Sequence, residues 1–585
     1  MNEDAYRTTI SLLAIDVGEI NTRAVLFDLV EARYRFLAVG SSSTSLQAPH
    51  YHVGEGIRQA LKALEEITGR RLLGENDQMI MPEQEDGSGV DRVVATLSAG
   101  PPLKILVAGL LEEASLESAC NLISTTYAQV VETLSLNDPR SPEARLDAIL
   151  KARPEAIIIA GGMEAGARIA VFRLIEPIRL AYQLLLKEER PLVLFAGNES
   201  LAEPVQQALE EVAAVQVAPN LRPALEMEQL EPAQQQLAAI FRSVRTRQLP
   251  GIAELNDWSD GQLNPTALAF GRIIRFLSKV YDPEKGVLGI DVGASATTVA
   301  AAFSGALTLR VYPQLGLGKG LPGLLEHTQV NSLLRWLLVE VSEDYLRDYI
   351  YNKSLYPGSL PNTAEDLAIE QALARQTIRT ALSKASHGFP KTARRSAAGF
   401  LPWFEPIVAA GSLLTNAPTP GQQLLLLLDA LQPTGVTTLV LDQNNLMAPL
   451  GAAAVVNPVL VVQVLESSTF LSLGTVISPV VVARPGTPVV RAKIKYDSGN
   501  EVRIDVKQGT IEVIPLSLGR QARLHLQPLH RADVGMGGPG RGGSMRVTGG
   551  VLGIVIDARG RPLRLATDPG RRRELHRKWL WTLGG

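Results

Sequence analysis

Cysteine is almost absent. The 585 residues include one, Cys120, which excludes an intramolecular disulfide and any metal site built on clustered thiolates. Histidine is scarce too, with 7 residues and no HExxH string, so the helical zinc-hydrolase motif is absent. An excess of charge of either sign is also missing. Lys and Arg number 57 against 60 Asp and Glu, for a formal net charge of −3. Nothing in that balance draws the chain to nucleic acid or an anionic membrane, and neither is expected as a partner. The longest apolar run lies around Leu424–Leu428, far below the roughly 20 residues of a membrane span. The start, MNEDAYRTTISLLAID, is acidic and has no basic stretch leading into a long apolar one. It reads as neither signal peptide nor anchor, and a cytoplasmic location is expected.

Hydrophobic residues make up 46% and charged residues 20%, which is globular composition. At roughly 100–200 residues per domain, a chain of this length implies about three to five units. LLAID, RAVLFDL and RYRFLAVG read as three strands of an antiparallel meander. Gly54–Leu72 has helical spacing, with Ile57, Leu61, Leu64 and Ile67 on one face. Apolar strands then alternate with helices: Lys104–Leu110, Ala156–Gly162, Pro191–Asn198 and Ala214–Asn220. The helix after the first of these is expected to run to about Leu134. This alternation predicts a parallel sheet with right-handed crossovers. Amphipathic helices lead from Glu231 to a second strand, GVLGIDVG. Beyond Pro458 the segments Leu473–Val482, Val489–Tyr496, Glu501–Val506 and Gly509–Pro515 are rich in β-branched residues and predict a β domain. The end, RRRELHRKWLWTLGG, reads as a short basic amphipathic helix, packed or solvated.

One feature occurs twice. IDVGEINTRAVLFD (Ile15–Asp28) and IDVGASATTVAAAF (Ile290–Phe303) share Ile-Asp-Val-Gly at the end of an apolar strand. A glycine turn lets backbone amides approach phosphate oxygens without a Cβ in the way. The aspartate beside it repels phosphate but can hold Mg²⁺ through water or orient an attacking water. Two such turns from similar domains could clamp a nucleotide and its metal in an interdomain cleft. A lone Asp-x-Gly is a commonplace turn; the weight rests on the repeat.

These strings resemble the two phosphate motifs of the actin, sugar kinase and heat-shock chaperone ATPase superfamily. FEPIVAAGSLL (Phe404–Leu414) is similar to its adenosine motif. More narrowly, IIIAGGMEAG, VLFAGNES, LNPTALAFGRI, GIDVGASATTV, VAAGSLLTNAP and APLGAAAVVNP, in that order, resemble the accessory protein L family of glutamate (methylaspartate) mutase. This is a MutL-like group unrelated to mismatch repair. The resemblance covers about Leu12 to Leu465. It implies an α/β fold of two ribonuclease H-like (actin-like ATPase) lobes with an inserted parallel α/β region, plus a C-terminal all-β domain. The expected divisions are residues 1–100 for the first lobe, 101–230 for the insert and 231–465 for the second lobe. A β domain at 466–560 and a helix at 561–585 follow. It implies ATP and Mg²⁺ as cofactors. It also implies a cobalamin-dependent mutase subunit as partner, reactivated through nucleotide-driven opening and closing of the lobes. Carried over by position, Asp16 and Asp291 are the catalytic and water-mediated metal residues. Gly18, Thr22, Arg23, Gly293, Thr297, Thr298, Gly411 and Ser412 are the nucleotide-binding ones.

The match departs from the family pattern where nucleotide should touch. Glu19, Ile20 and Asn21 replace three hydroxyl residues, and Glu19 adds negative charge that Mg²⁺ or Arg23 would have to offset. Ala294 stands for a glycine and Thr298 for a second aspartate; Ala410-Gly411-Ser412 stands where Gly-Gly is commoner. Two versions follow: a slow ATPase that keeps Asp16 and Asp291, or a degenerate scaffold that binds a partner without hydrolysis. A small-molecule kinase of the same superfamily, with Asp291 as general base, is the remaining alternative. The Gly-rich segment Gln314–Gly323, with Lys319, lacks P-loop spacing and is expected to be a surface loop lining the cleft. Cys120 is expected in a core.

Overall fold

The computed structural model describes residues 10–162, 164 and 168–585. β1 (Leu12–Val17), β2 (Asn21–Val30) and β3 (Arg33–Ser43) follow one another across short turns. β1 is buried along its whole length, as a continuous apolar run requires. A helix at Val53–Thr68 buries Ile57, Leu61 and Leu64, while Ile67, expected on the same face, is exposed in its last turn. The helix ends on Gly69 at φ +71°, a left-handed stop that glycine adopts without cost. β4 (Arg92–Leu97) comes next.

Five strands then make a sheet of their own: β5 (Leu103–Gly109), β6 (Ala128–Ser135), β7 (Ala156–Ala160), β8 (Leu192–Phe195) and β9 (Val215–Val217). Their order is β6-β5-β7-β8-β9, and all neighbours are parallel. The expected parallel insert is present, with one strand more than the sequence reading held. The helix expected to reach Leu134 stops at Ile123, and β6 takes its place. Ser124 and Thr125 turn their hydroxyls back onto the carbonyls of Asn121 and Leu122, which competes with continuing the helix. The β-branched Val130, Val131 and Thr133 then favour a strand.

β10 (Leu263–Pro265) returns to the first sheet and runs parallel to β4, with Leu263 opposite Ala95. The first sheet has the order β10-β4-β1-β2-β3. After a helix at Thr266–Val280 the pattern starts again. β11 (Gly286–Val292), β12 (Thr297–Phe303) and β13 (Ala306–Tyr312) form an antiparallel meander. β14 (Phe404–Ala410) lies parallel to β11, and β15 (Gly435–Leu441) parallel to β14. Read from its first strand, the order β15-β14-β11-β12-β13 repeats β10-β4-β1-β2-β3.

The expected β region divides between two sheets. β16 (Leu471–Ser478), β19 (Ile511–Ile514) and β22 (Ile554–Asp557) extend the second sheet to β13-β12-β11-β14-β15-β16-β22-β19. β17 (Pro488–Tyr496), β18 (Glu501–Lys507), β20 (Gln521–Pro528) and β21 (Gly543–Thr548) form a separate antiparallel sheet in the order β18-β17-β20-β21.

The chain falls into two compact units. One holds Val25–Val39 and Ala269–Gly585 with the start of β1; the other holds Ile15–Ala24 and Gly40–Leu268. Residues 231–268, expected in the second lobe, sit in the latter unit. The pairing of β10 with β4 places them there, as does the ion pair of Arg58 with Glu254 at 2.8 Å.

A buried ionic cluster lies in the larger unit. Asp429, on the leucine-rich helix Pro420–Leu431, accepts from Arg375 at 2.9 Å and from Arg559 at 2.6 Å. Arg559 also pairs with Asp557 at 2.9 Å, which Arg561 reaches at 2.7 Å. The terminal helix Pro569–Thr582 covers this cluster with buried His576 and Trp579, so the basic tail is a packed end. Among the described residues, no helix is long and apolar enough to cross a membrane.

Candidate functional site

The two repeated strings form the same turn. Gly18 N–H donates to Asn21 O at 3.0 Å, and Gly293 N–H donates to Ala296 O at 3.0 Å. Each closes a two-residue loop between the first two strands of its sheet. The remaining geometry belongs to each turn separately.

At the first turn Asp16 is 6% exposed. Its Oδ1 accepts from Thr96 Oγ1 at 2.6 Å and Thr266 Oγ1 at 3.2 Å. Its Oδ2 lies 3.9 Å from the Arg23 guanidinium. Burial pushes its carboxyl above the usual range, while Thr96, Arg23 and Thr266 pull the other way without cancelling it. Thr22 is fully buried. Its hydroxyl shares a hydrogen bond with Thr44 at 2.8 Å, and Thr44 Oγ1 donates to Gly18 O at 2.8 Å. Thr44 N–H also donates to Ile20 O, so Thr22 and Thr44 together hold the loop. The Glu19 carboxylate accepts from Gly100 N–H at 3.0 Å and lies within electrostatic reach of the buried Arg245.

At the second turn Asp291 is half-buried on β11, opposite Thr298 of β12 and Ala410 of β14. Thr297 is fully buried, and its hydroxyl donates to Leu315 O at 2.8 Å. The Gly-rich segment packs onto this turn. Leu317 N–H donates to Gly293 O at 3.0 Å, and Gly318 N–H to Ala294 O at 2.9 Å. A Cβ at Gly316 would stand 2.4 Å from Ala294 O, so the segment approaches as only glycine allows. Residues 315–318 are buried and Lys319 is exposed. The segment is thus a buttress of the turn, where the sequence pointed to a surface loop. β14 ends at Ala410, and Gly411 follows at φ +108°. A Cβ there would lie 2.2 Å from Val292 O. Gly411 N–H donates to Asn445 Oδ1 at 3.3 Å, and Ser412 opens a short helix, Ser412–Thr415.

The Gly18 and Gly293 amides are taken up by Asn21 O and Ala296 O, so a phosphate would have to be met by the other amides of each turn, with Arg23 beside the first. Mg²⁺ fits Asp16 poorly. Such an ion takes one or two carboxylates with phosphate oxygens and water, whereas Asp16 is engaged by two hydroxyls and faces a guanidinium. Among the described residues, no group of three or more His, Cys, Asp or Glu could hold a metal by itself. Cys120 is half-buried rather than a core residue, and burial pushes its thiol up, so it is no activated nucleophile. Sequence reasoning missed Thr44, Thr96, Thr266 and Asn445. Each is an ordinary polar residue whose partner lies 22 to 250 positions away, and no local string signals such a pairing.

The chain is therefore a mixed α/β protein with two sheets of like strand order, each carrying an Asp-x-Gly turn after its first strand. A family model described as MutL protein matches residues 12–469, and the chain belongs to that family, as the resemblance implied. No curated protein matches the chain at a significant level. Solved structures with similarity include a nucleotide-free acetone carboxylase, with 11% identity over 85% of this chain and 81% of that one at a TM-score of 0.31. The nucleotide-free diol dehydratase-reactivating factor is 12% identical over 72% of this chain and 94% of its own, at 0.26. A glycerol dehydratase reactivase is 12% identical over 71% and 94%, at 0.25. At such scores these likenesses carry no weight for fold or function.

Proposed function

We propose that this MutL-family chain is an ATP-binding reactivating chaperone for a cobalamin-dependent mutase. The repeated sheets would be the two ribonuclease H-like lobes of an actin-like ATPase fold. The observation that carries the proposal is the double occurrence of one turn in one strand order, with matching Gly18–Asn21 and Gly293–Ala296 hydrogen bonds. Amides of the turns led by Gly18 and Gly293 would meet the phosphates, with Arg23 supplying positive charge. Gly411 and Ser412 would lie against the nucleoside, and Thr298 beside the second turn. Thr22 and Thr297 act by holding the turns in shape. Asp291 is the better candidate for a water-mediated Mg²⁺, and Asp16 for positioning Arg23. When bound, Mg²⁺ would offset phosphate charge.

Asp16 is less available than a slow ATPase needs, which favours nucleotide binding with little or no turnover. The nucleotide then works as a conformational ligand, driving the lobe opening and closing that the resemblance implies. The test is reactivation of a cobalamin-inactivated mutase by the purified chain with Mg-ATP. Recovery of activity that needs both chain and nucleotide supports the proposal. Recovery without nucleotide leaves a scaffold, and no recovery removes the mutase as client.

A further inference from the structure

The sheet β18-β17-β20-β21 has one buried face and one open face. Ala492, Ile494, Val506, Leu524, Leu526 and Val547 point inward. Alternation sends the intervening residues outward, where Arg491, Lys493, Lys495, Arg503, Arg523 and Arg546 meet only Glu501 and Asp505. The chain as a whole carries −3, so this basic face runs against its overall charge.

Register makes the charge more unusual. Lys495 stands opposite Arg523, and Arg523 opposite Arg546. Glu501 stands opposite Lys495 at one end of this row. Beyond it Lys495, Arg523 and Arg546 are three cations on adjacent strands, about 5 Å apart at each step. In the next row Lys493 stands opposite Arg503. Like charges directly opposed weaken a sheet, and a face needing only solubility would interleave signs. The two carboxylates are already engaged: Asp505 by Arg491 at 2.7 Å and Glu501 by Lys493 at 2.9 Å. Among the described residues, no carboxylate stands within ion-pair distance of Lys495, Arg523 or Arg546.

We propose that this face docks a protein surface bearing clustered Asp and Glu side chains, whose carboxylates settle on the Lys495–Arg523–Arg546 row. Acidic side chains would supply the charge that the sheet lacks and relieve the opposed pairs. Nucleic acid is the less suitable polyanion. Sheet faces that bind single strands stack bases on aromatics, and no Phe, Tyr or Trp points outward here. The sheet lies beyond residues 12–469, the span of the family match. The inference therefore stands apart from the proposed reactivation.

The experiment uses the full chain and three labelled probes at graded salt: poly-L-glutamate, oligothymidylate and a DNA duplex of matched charge. Poly-L-glutamate is expected to bind in a salt-sensitive manner. The combined variant Lys495→Gln, Arg523→Gln, Arg546→Gln should weaken it by about tenfold. A control, Arg571→Gln, Arg577→Gln, Lys578→Gln, removes the same charge from the terminal helix and should leave affinity unchanged. Because it removes opposed cations, the first variant should melt no lower than the parent chain. Absence of salt-sensitive poly-L-glutamate binding would overturn the proposal. So would equal loss in both variants, tighter binding of either nucleic acid, or a lower melting temperature in the first variant.

Discussion

Residue by residue, the turns are held by groups that chemistry alone would have sent to the ligand. Thr22 and Thr297 carry hydroxyls suited to phosphate, yet both are spent on Thr44 and Leu315. Thr297→Val should therefore cost about 1–2 kcal/mol of stability, read by denaturant titration, and change ATP affinity only through the turn's shape. Gly411 tolerates no side chain, because its φ is +108° and a Cβ would meet Val292 O. Gly411→Ala should cost at least about 1–3 kcal/mol and weaken nucleotide binding together with stability. Asp16 gives a sign to test. Its folded carboxyl sits above the ordinary value, so the folded state holds the proton more tightly than the unfolded one. Its contribution thus falls as pH rises from the unfolded value through the folded one. Asp16→Asn should leave stability at neutral pH equal to or above that of the parent chain. A clear loss of stability in that variant would show that the ionised carboxylate holds the site together.

Among the elements, the ionic cluster under the terminal helix has the most to lose. Burial alone would push the Asp429 carboxyl up, but the guanidinium groups of Arg559 and Arg375 outweigh it and hold the group below the usual range. Asp429→Ala would leave Arg375 buried without its carboxylate and Arg559 with Asp557 alone. A loss of about 3–5 kcal/mol is expected, seen as early release of the helix Pro569–Thr582 in hydrogen exchange. His576 is pushed down to about 4 by burial and is neutral at pH 7. The unfolded chain binds its proton first, so this contribution is lost as pH falls from about 6.5 to 4. His576→Phe should remove that acid-side loss, measured as the melting temperature between pH 7 and 4. Strands with long apolar runs, such as β1, β7 and β11, were legible from sequence because burial on both faces leaves a plain mark. β6 was not, since its alternating polar residues and the preceding helix masked it. The two partnerships of the β region were also illegible: β16, β19 and β22 look no different in composition from β17, β18, β20 and β21, and only long-range pairing separates them.

For the whole molecule, the family was readable from the order of short strings, none of them specific alone. The repeated strand order, with one turn closed alike in both sheets, gives that reading a structural counterpart. What sequence could not supply is how each functional side chain is engaged, because Asp16 meets partners 80 and 250 positions away. The most direct measurement is a calorimetric titration of the full chain with Mg-ATP, repeated with Asp291→Ala and followed for phosphate release. The account predicts saturable binding, weakened by about tenfold or more in the variant, with little or no phosphate released. Absence of binding at millimolar ATP, or binding untouched by Asp291→Ala, would contradict it.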